Sequence, residues 1–320
     1  MEFESTFGST YKYIRQARKL SQHNVTKESI SRSSLSKFEH NKQTIYLDNF
    51  LSLLDELDLS VSEFMFINNN YQLEYGDQLK EEFYGNHFTG NTESYGELIK
   101  KIEEYLEHDY DWYLEMMKHY LNLIIDLDSD TTGEQLEKVK KLVEDIWNLI
   151  NSRDEWFMND IKLLNVIIYY LPKKLADNAI QKLLKRAQDY IEADQMQILL
   201  PSLQLNASLV YIKNGMYEKA TQCAHEALES AQLNHRYDIY VAALVRKGTS
   251  LKDFSMIHNG LQIASDIRDH KLYEFLNIEV IKNIPMYFTK YPEDMEKMDW
   301  KSDEPEEQEY KFNGYYWFAI

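Results

Sequence analysis

The sequence predicts an all-α chain in two parts, and three observations predict it. Its 320 residues include only 10 Gly and 5 Pro, with no proline before Pro172, so helix breakers are scarce through the first half. Apolar residues recur at helical spacing along most of its length. The net charge of −18 is divided unevenly: residues 11–42 hold eight Lys and Arg against two acids, whereas residues 71–320 hold 27 bases against 44 acids. A small basic module attached to an acidic body can neutralise phosphates locally while the body repels nucleic acid. At this length about two domains are expected.

The first helix is expected over Thr6 to Lys19, with Phe7, Tyr11, Ile14 and Ala17 facing the core and Lys12 and Arg18 left for phosphates. Ser21 is a good N-cap for a helix starting at Gln22, and Val25 points inward. Lys27 to Ser29 makes a turn that Ile30 plugs. A helix from Arg32 to His40 follows, seated by Leu35 and Phe38, and Asn41 ends it as a residue that tolerates a left-handed cap. Its opposite face presents Arg32, Ser33, Ser36 and Lys37, long and polar donors suited to the major groove. Leu47, Phe50, Leu51, Leu54 and Leu57 make a fourth helix, and Ser60 to Glu63 forms a capping box for a fifth that closes at Asn68 to Asn70.

Arg15, Leu20-Ser21-Gln22, Leu35-Ser36-Lys37-Phe38-Glu39 and Asn41-Lys42 resemble the phage-repressor (XRE, Cro-type) helix-turn-helix. More narrowly, YKYIRQARKLSQ, SRSSLSKFEHNKQTI and LDLSVSEF are similar to the Rgg/MutR regulators of Gram-positive bacteria. Many repressors have Gly where this chain has Asn41. The resemblance implies that Arg15 pairs with Glu39 and that both are structural. Base contacts are expected from Arg32, Ser33 and Lys37, and phosphate contacts from Lys12, Arg18, Gln22 and Lys42. The partner would be an inverted-repeat operator in double-stranded DNA, bound by a homodimer.

The helix-turn-helix domain is placed at 1–69 and a linker helix and loop at 70–91, with Gly76, Gly85 and Gly90. From 92 to 290 amphipathic helices are expected at about 93–107, 111–127, 134–151, 155–171, 174–191, 194–213, 217–232 and 236–250. Within LNASLVYIKNGMYEKATQCAHEAL, residues 205–228, Gly215, Tyr217, Ala220 and Ala227 look like a tetratricopeptide repeat, with Gly215 permitting a tight turn. Leu164-Asn165 with Tyr170 and Leu205-Asn206 with Tyr211 keep the same offsets 41 residues apart. The expected fold is therefore a five-helix phage-repressor-like domain followed by a TPR-like right-handed α-solenoid. WFMNDIKLLN, residues 156–165, is also similar to a segment of the Rgg regulatory domain. Rgg-like and related RRNPP regulators bind short secreted signalling peptides after import, and the resemblance implies the same here. Asn165 and Asn206 are candidates to hold a peptide backbone, since an amide offers both donor and acceptor. Tyr169 and Tyr211 are further candidates, with Arg246 for a carboxylate. Each could instead satisfy a neighbouring loop or fill the core.

Other chemistry finds little support. Asp126, Asp128, Asp130 and Glu137 take calcium-loop positions 1, 3, 5 and 12, but Thr131 stands where the sharp turn requires Gly. His108, Asp109 and Asp111 lack metal-site spacing, Cys223 reads as core filler beside alanines, and no phosphate-binding glycine loop or nucleophile motif occurs. No metal, cofactor or enzymatic activity is expected. No apolar run approaches a membrane span and the N-terminus lacks a leader pattern, so the cytoplasm is expected. Residues 291–320 read as an acidic tail ending in the apolar GYYWFAI, either docked on the repeats or making a dimer or groove contact. Two alternatives stay open: a DNA-binding regulator without a peptide ligand, controlled by dimerisation or a protein partner, and a TPR scaffold that does not bind DNA.

Overall fold

The computed structural model describes residues 6–26, 30–86, 92–129 and 133–296, and all regular structure among them is helical. The expected turn at Lys27 to Ser29, the loop around Gly90, the calcium-like Asp130 and Thr131, and the C-terminal stretch from 297 lie outside the described residues. Two compact units divide the chain at Gln78/Leu79.

The first unit contains α1 (Phe7–Ala17), α2 (Gln22–Val25), α3 (Arg32–Glu39), α4 (Leu47–Asp55) and α5 (Val61–Asn68). Each start has a local cause. Thr6, Ser21, Ser31 and Ser60 accept N–H bonds from Ser9, Asn24, Ser34 and Glu63, pairing donors that the first turn leaves open. The helices close on Tyr11, Ile14, Val25, Leu35, Phe38, Phe50, Leu53, Leu54, Leu57, Leu59 and Phe64. Two expectations for α1 change: Ala17 is exposed, and Phe7 is 44% exposed while its ring still meets Phe50 and Phe64 at 5.8 and 5.6 Å. Thr10 and Arg15 take the buried positions instead, because polar partners on α5 and α3 await them.

α1 and α3 touch at Gly8. A Cβ there would lie 1.9 Å from the Phe38 carbonyl oxygen, so only glycine permits the approach. Asn41 completes the joint with φ of 57°, while the Lys42 N–H reaches the Lys37 carbonyl at 2.8 Å, the bond pattern of a Schellman cap. The Asn41 Oδ1 also accepts the Thr6 hydroxyl at 2.6 Å, tying the end of α3 to the start of α1.

α6 (Tyr75–Asn86) contains the division between the units, and its Leu79, Phe83 and Tyr84 belong to the core of the second. The part expected as a linker therefore supplies core residues. The second unit continues with α7 (Thr92–Leu106), α8 (Trp112–Ser129), α9 (Gly133–Asn151), α10 (Met158–Ile167), a 3-10 turn at Ile168–Tyr170, α11 (Lys173–Gln188), α12 (Asp194–Lys213), α13 (Tyr217–Leu233), α14 (Tyr237–Leu251), α15 (Phe254–Asp266), α16 (His270–Asn283), α17 (Tyr287–Lys290) and α18 (Pro292–Glu296). Consecutive helices pack together, and α14 also meets α12 and α16. Helices α12, α14 and α16 thus form one layer and α13 and α15 another, as stacked hairpins do. α12 is buried from Leu199 through Ile212, which explains why its residues are apolar or small on every side. On α13, Ala220, Ala224, Ala227 and Ala231 make a buried stripe where neighbouring helices come close.

The corners between these helices share one geometry. Gly215, His235, Lys252 and Arg268 all have positive φ, and each following N–H reaches back five residues, to Tyr211, Ala231, Gly248 and Ala264 respectively. Replacement of Gly8 by Ala should destabilise the first unit by about 1–3 kcal/mol through overpacking. Hydrogen-exchange protection of the α1 and α3 amides would fall by the corresponding amount; unchanged protection would refute the contact.

Candidate nucleic-acid interface

α3 is positioned by a buried ion pair behind it. Arg15 on α1 donates from Nε and Nη2 to the two carboxylate oxygens of Glu39 at 2.5 and 2.8 Å, and from Nη1 to the Leu20 carbonyl at 2.5 Å. Both side chains are withdrawn from water, so the bidentate geometry and the third bond are what compensate their desolvation. The bond to Glu39 raises the Arg15 pKa, and burial with nearby Glu39 raises that of the Tyr11 phenol. Gln22 also joins this network, its Nε2 donating to Glu39 at 2.8 Å. One of the two N–H donors of the Gln22 amide therefore serves α3, and the other remains for the expected phosphate contact.

On the other side of α3, Arg32, Ser33 and Lys37 are exposed and have no side-chain partner among the described residues. Leu35 and Phe38 are buried beneath them. The exposed donors are therefore held on a helix whose back is fixed by packing and by Glu39, which is what reading base edges requires. Lys42 is exposed just beyond the cap. Lys12 lies with its Nζ 3.2 Å from His40 Nε2, and Arg18 makes a long 3.4 Å bond to the Asp58 carbonyl. These three cations border α3 or its flanking loops without a carboxylate partner among the described residues.

The candidates in the second unit separate into two groups. Asn165 on α10 and Asn206 on α12 come together: Asn206 Nδ2 donates to Asn165 Oδ1 at 3.1 Å, both residues are buried, and the Asn206 Oδ1 has no partner among the described residues. A buried carbonyl without a donor is costly, so this atom calls for a donor that the described residues do not supply. The other three have structural partners. Arg246, 1% exposed, forks onto Glu279 at 2.7 and 3.0 Å and donates to the Leu205 carbonyl at 2.8 Å, which corrects its expected role as a receiver of a ligand carboxylate. The Tyr211 hydroxyl donates to Asp177, which Lys219 also grips and thereby holds below the usual carboxylate range. Tyr169 is buried, with the Lys213 ammonium 3.7 Å above its ring.

Sequence reasoning missed Gly8, Glu279 and Lys213. Gly8 carried a signal, as a glycine at the second position of an otherwise regular helix; Glu279 carried none, since its partner lies 33 residues away. Among the described residues no group of three His, Cys, Asp or Glu could hold a metal, and no helix is long and apolar enough to cross a membrane. Cys223 is buried, and burial pushes its thiol up to about 12.

The class that this geometry defines is a helix-turn-helix unit followed, in one chain, by a stacked helical-hairpin unit. The protein shares that fold with solved regulator structures. A candidate transcriptional regulator from Listeria monocytogenes EGD-e aligns with a TM-score of 0.68 at 18% identity, covering 89% of this chain and 98% of that one. The SHP pheromone receptor Rgg2 of Streptococcus dysgalactiae aligns with a TM-score of 0.60 at 17% identity, covering 87% and 100%. PlcR of Bacillus thuringiensis, solved with the peptide PapR7 and DNA, aligns with a TM-score of 0.59 at 14% identity, covering 86% and 99%. No protein-family model and no curated protein matches the chain.

Loss of the Glu39 carboxylate should strand a buried guanidinium. Glu39→Ala is expected to destabilise the first unit by about 3–5 kcal/mol, read from urea unfolding, and Arg15→Met in the same chain should restore part of the loss. Additive losses from the two substitutions would show that the pair is not coupled.

Proposed function

We propose that the protein is a dimeric, DNA-binding transcription regulator whose operator affinity is set by a short signalling peptide held in the repeat unit. The observation that carries this reading is α3: a rigidly backed helix with Arg32, Ser33 and Lys37 exposed and unpartnered among the described residues, in the one strongly basic stretch of an acidic chain. Arg32, Ser33 and Lys37 read bases, while Lys12, Arg18 and Lys42 hold phosphates and fix the register. The likeness in fold to Rgg2, a pheromone receptor, and to PlcR with its peptide and DNA supports the same division of labour. The Asn165–Asn206 pair is the contact for the peptide backbone, with the free Asn206 carbonyl taking an N–H. Binding of DNA places the working protein in the cytoplasm.

Selection from random duplex DNA should return an inverted repeat, the signature of a twofold dimer. Arg32→Ala should then cost about 1–3 kcal/mol at one base position, whereas Lys42→Ala should weaken cognate and random DNA alike and flatten the salt dependence. Equal losses on both DNAs for Arg32→Ala would remove it from base readout.

Peptide can alter operator affinity only by binding two states unequally, and the coupling must be reciprocal. Calorimetry with a short hydrophobic peptide encoded near the gene should give different affinities with and without operator, and Asn206→Ala should reduce both. Identical peptide affinity in the two conditions would leave a regulator controlled by other means.

A further inference from the structure

A recess in the repeat unit has the chemistry of an anion site. A cavity of about 440 Å³ is lined by Glu137, Lys140, Lys141 and Glu144 from α9, by Tyr170, Leu171, Pro172 and Lys173 at the entry to α11, and by Lys213 and Asn214 at the end of α12. Four lysines therefore meet two glutamates inside a unit that is otherwise strongly acidic.

The pairing of these lysines separates them. Lys140 bonds Glu137 at 2.6 Å and Lys141 bonds Asp145 at 2.7 Å, both ordinary helix-surface pairs. Lys173 and Lys213 have no carboxylate partner among the described residues; their ammonium groups donate to the backbone carbonyls of Asn214 and Tyr169, at 2.7 and 2.8 Å. Lys213 also lies over the Tyr169 ring at 3.7 Å. Surrounding protein, together with nearby Lys140, holds the Lys213 pKa down to about 8. Lys213 is an exposed residue supported by the Tyr169 and Tyr170 rings and a carbonyl, and a cation placed so beside another cation gains by taking up an anion. α11 adds to this: no side chain caps its start and its first turn carries no acid, so its N-terminal dipole is not neutralised locally.

The donor set selects the anion. The cations that line the cavity are all lysines, point charges of the kind that also bind phosphate oxygens. Tyr170, Leu171 and Pro172 give an apolar wall, and the volume lies in the range of small-molecule sites. We infer that this recess binds a phosphorylated small molecule, its phosphate between Lys213 and Lys173 and its organic part against Tyr170 and Pro172. The repeat unit would then sense a metabolite at a place distinct from the Asn165–Asn206 pair, whether or not a peptide binds there.

The experiment is thermal unfolding of the full chain titrated with inorganic phosphate and, separately, with a nucleoside monophosphate, against sodium chloride at matched ionic strength. Saturable stabilisation by phosphate beyond that of chloride is expected, with at least tenfold weaker apparent affinity in Lys213→Met and no change in an Arg32→Ala, Lys37→Ala chain. Tighter binding of the nucleotide assigns an esterified phosphate, and equal binding assigns the free ion. If Lys213→Met retains the response while the α3 variant loses it, the anion sits on the DNA-binding unit and the inference fails. It fails equally if phosphate does no more than chloride. Should Lys213→Met fold poorly, the wild-type chain still decides: NMR titration of the lysine ammonium signals should show the Lys213 pKa rising above about 8 when phosphate is added, and an unmoved value overturns the site.

Discussion

A buried guanidinium tolerates no half measures, and each unit of this protein is braced by one. In the first, Arg15 forks onto Glu39 and sends its remaining nitrogen to the Leu20 carbonyl; in the second, Arg246 forks onto Glu279 and sends its remaining nitrogen to the Leu205 carbonyl. The arrangement is similar in both: a carboxylate from another helix neutralises the charge, and a backbone oxygen, from the α1–α2 loop in one and from α12 in the other, satisfies the third direction. Burial of such a pair adds little stability relative to well-packed apolar residues, but loss of one partner is severe. The consequence is geometric. Helices α1 and α3, or α14 and α16, can approach only in the registry that closes all three bonds, so the pairs fix position more than they add energy. On the proposed reading, that fixed position of α3 is what would let Arg32 and Lys37 address particular base edges, since a helix free to rock by an ångström could not.

The two braces differ in how visible they were. Arg15 and Glu39 stand in a motif whose spacing is shared with a known family of helix-turn-helix domains, so their pairing could be inferred from sequence alone. Arg246 had no such frame. Taken alone it is an arginine on a repeat helix, and the plausible chemistry for it was a ligand carboxylate; the carboxylate that occupies it comes from Glu279, which nothing in local sequence connects to it. Tyr211 and Gln22 went the same way, toward Asp177 and Glu39. In each case the residue type was read correctly as a hydrogen-bonding group facing something specific, and the partner was supplied by tertiary packing. Arg32, Ser33 and Lys37, which have no side-chain partner among the described residues, are on the side of α3 opposite its apolar stripe, where helical periodicity alone decides exposure.

The repeat architecture was legible at one corner and hidden at three. Gly215 marks its turn because glycine adopts positive φ without cost. The corners at His235, Lys252 and Arg268 have the same backbone and the same return bond, yet use residues for which the left-handed conformation costs about 1–2 kcal/mol. At two of them the next residue offsets that strain: Asp253 and Asp269 cap α15 and α16 by accepting the Met256 and Leu272 N–H groups. Repetition is therefore kept in geometry within the chain but not in residue identity. This is why α15 and α16 could be placed in a helical domain without being delimited, and why the buried alanine stripe of α13 and the glycine contacts of α14 and α15 at Gly248 and Gly260 emerge only from packing.

Charge binds these observations together. A basic stretch, residues 11–42, is set in an otherwise acidic chain, so on the proposed reading DNA would be drawn to α3 and repelled by the remainder. In the repeat unit some lysines pair with carboxylates, as Lys101, Lys138, Lys141 and Lys219 do. Others have no carboxylate partner among the described residues. Lys173 and Lys213 are such residues, and both reach the same cavity. Screening at physiological salt acts over roughly 8 Å, so ammonium groups converging on one recess create a local field that the distant acidic surface does little to cancel. An acidic protein can thus keep a lysine-lined recess as well as a basic stretch around α3.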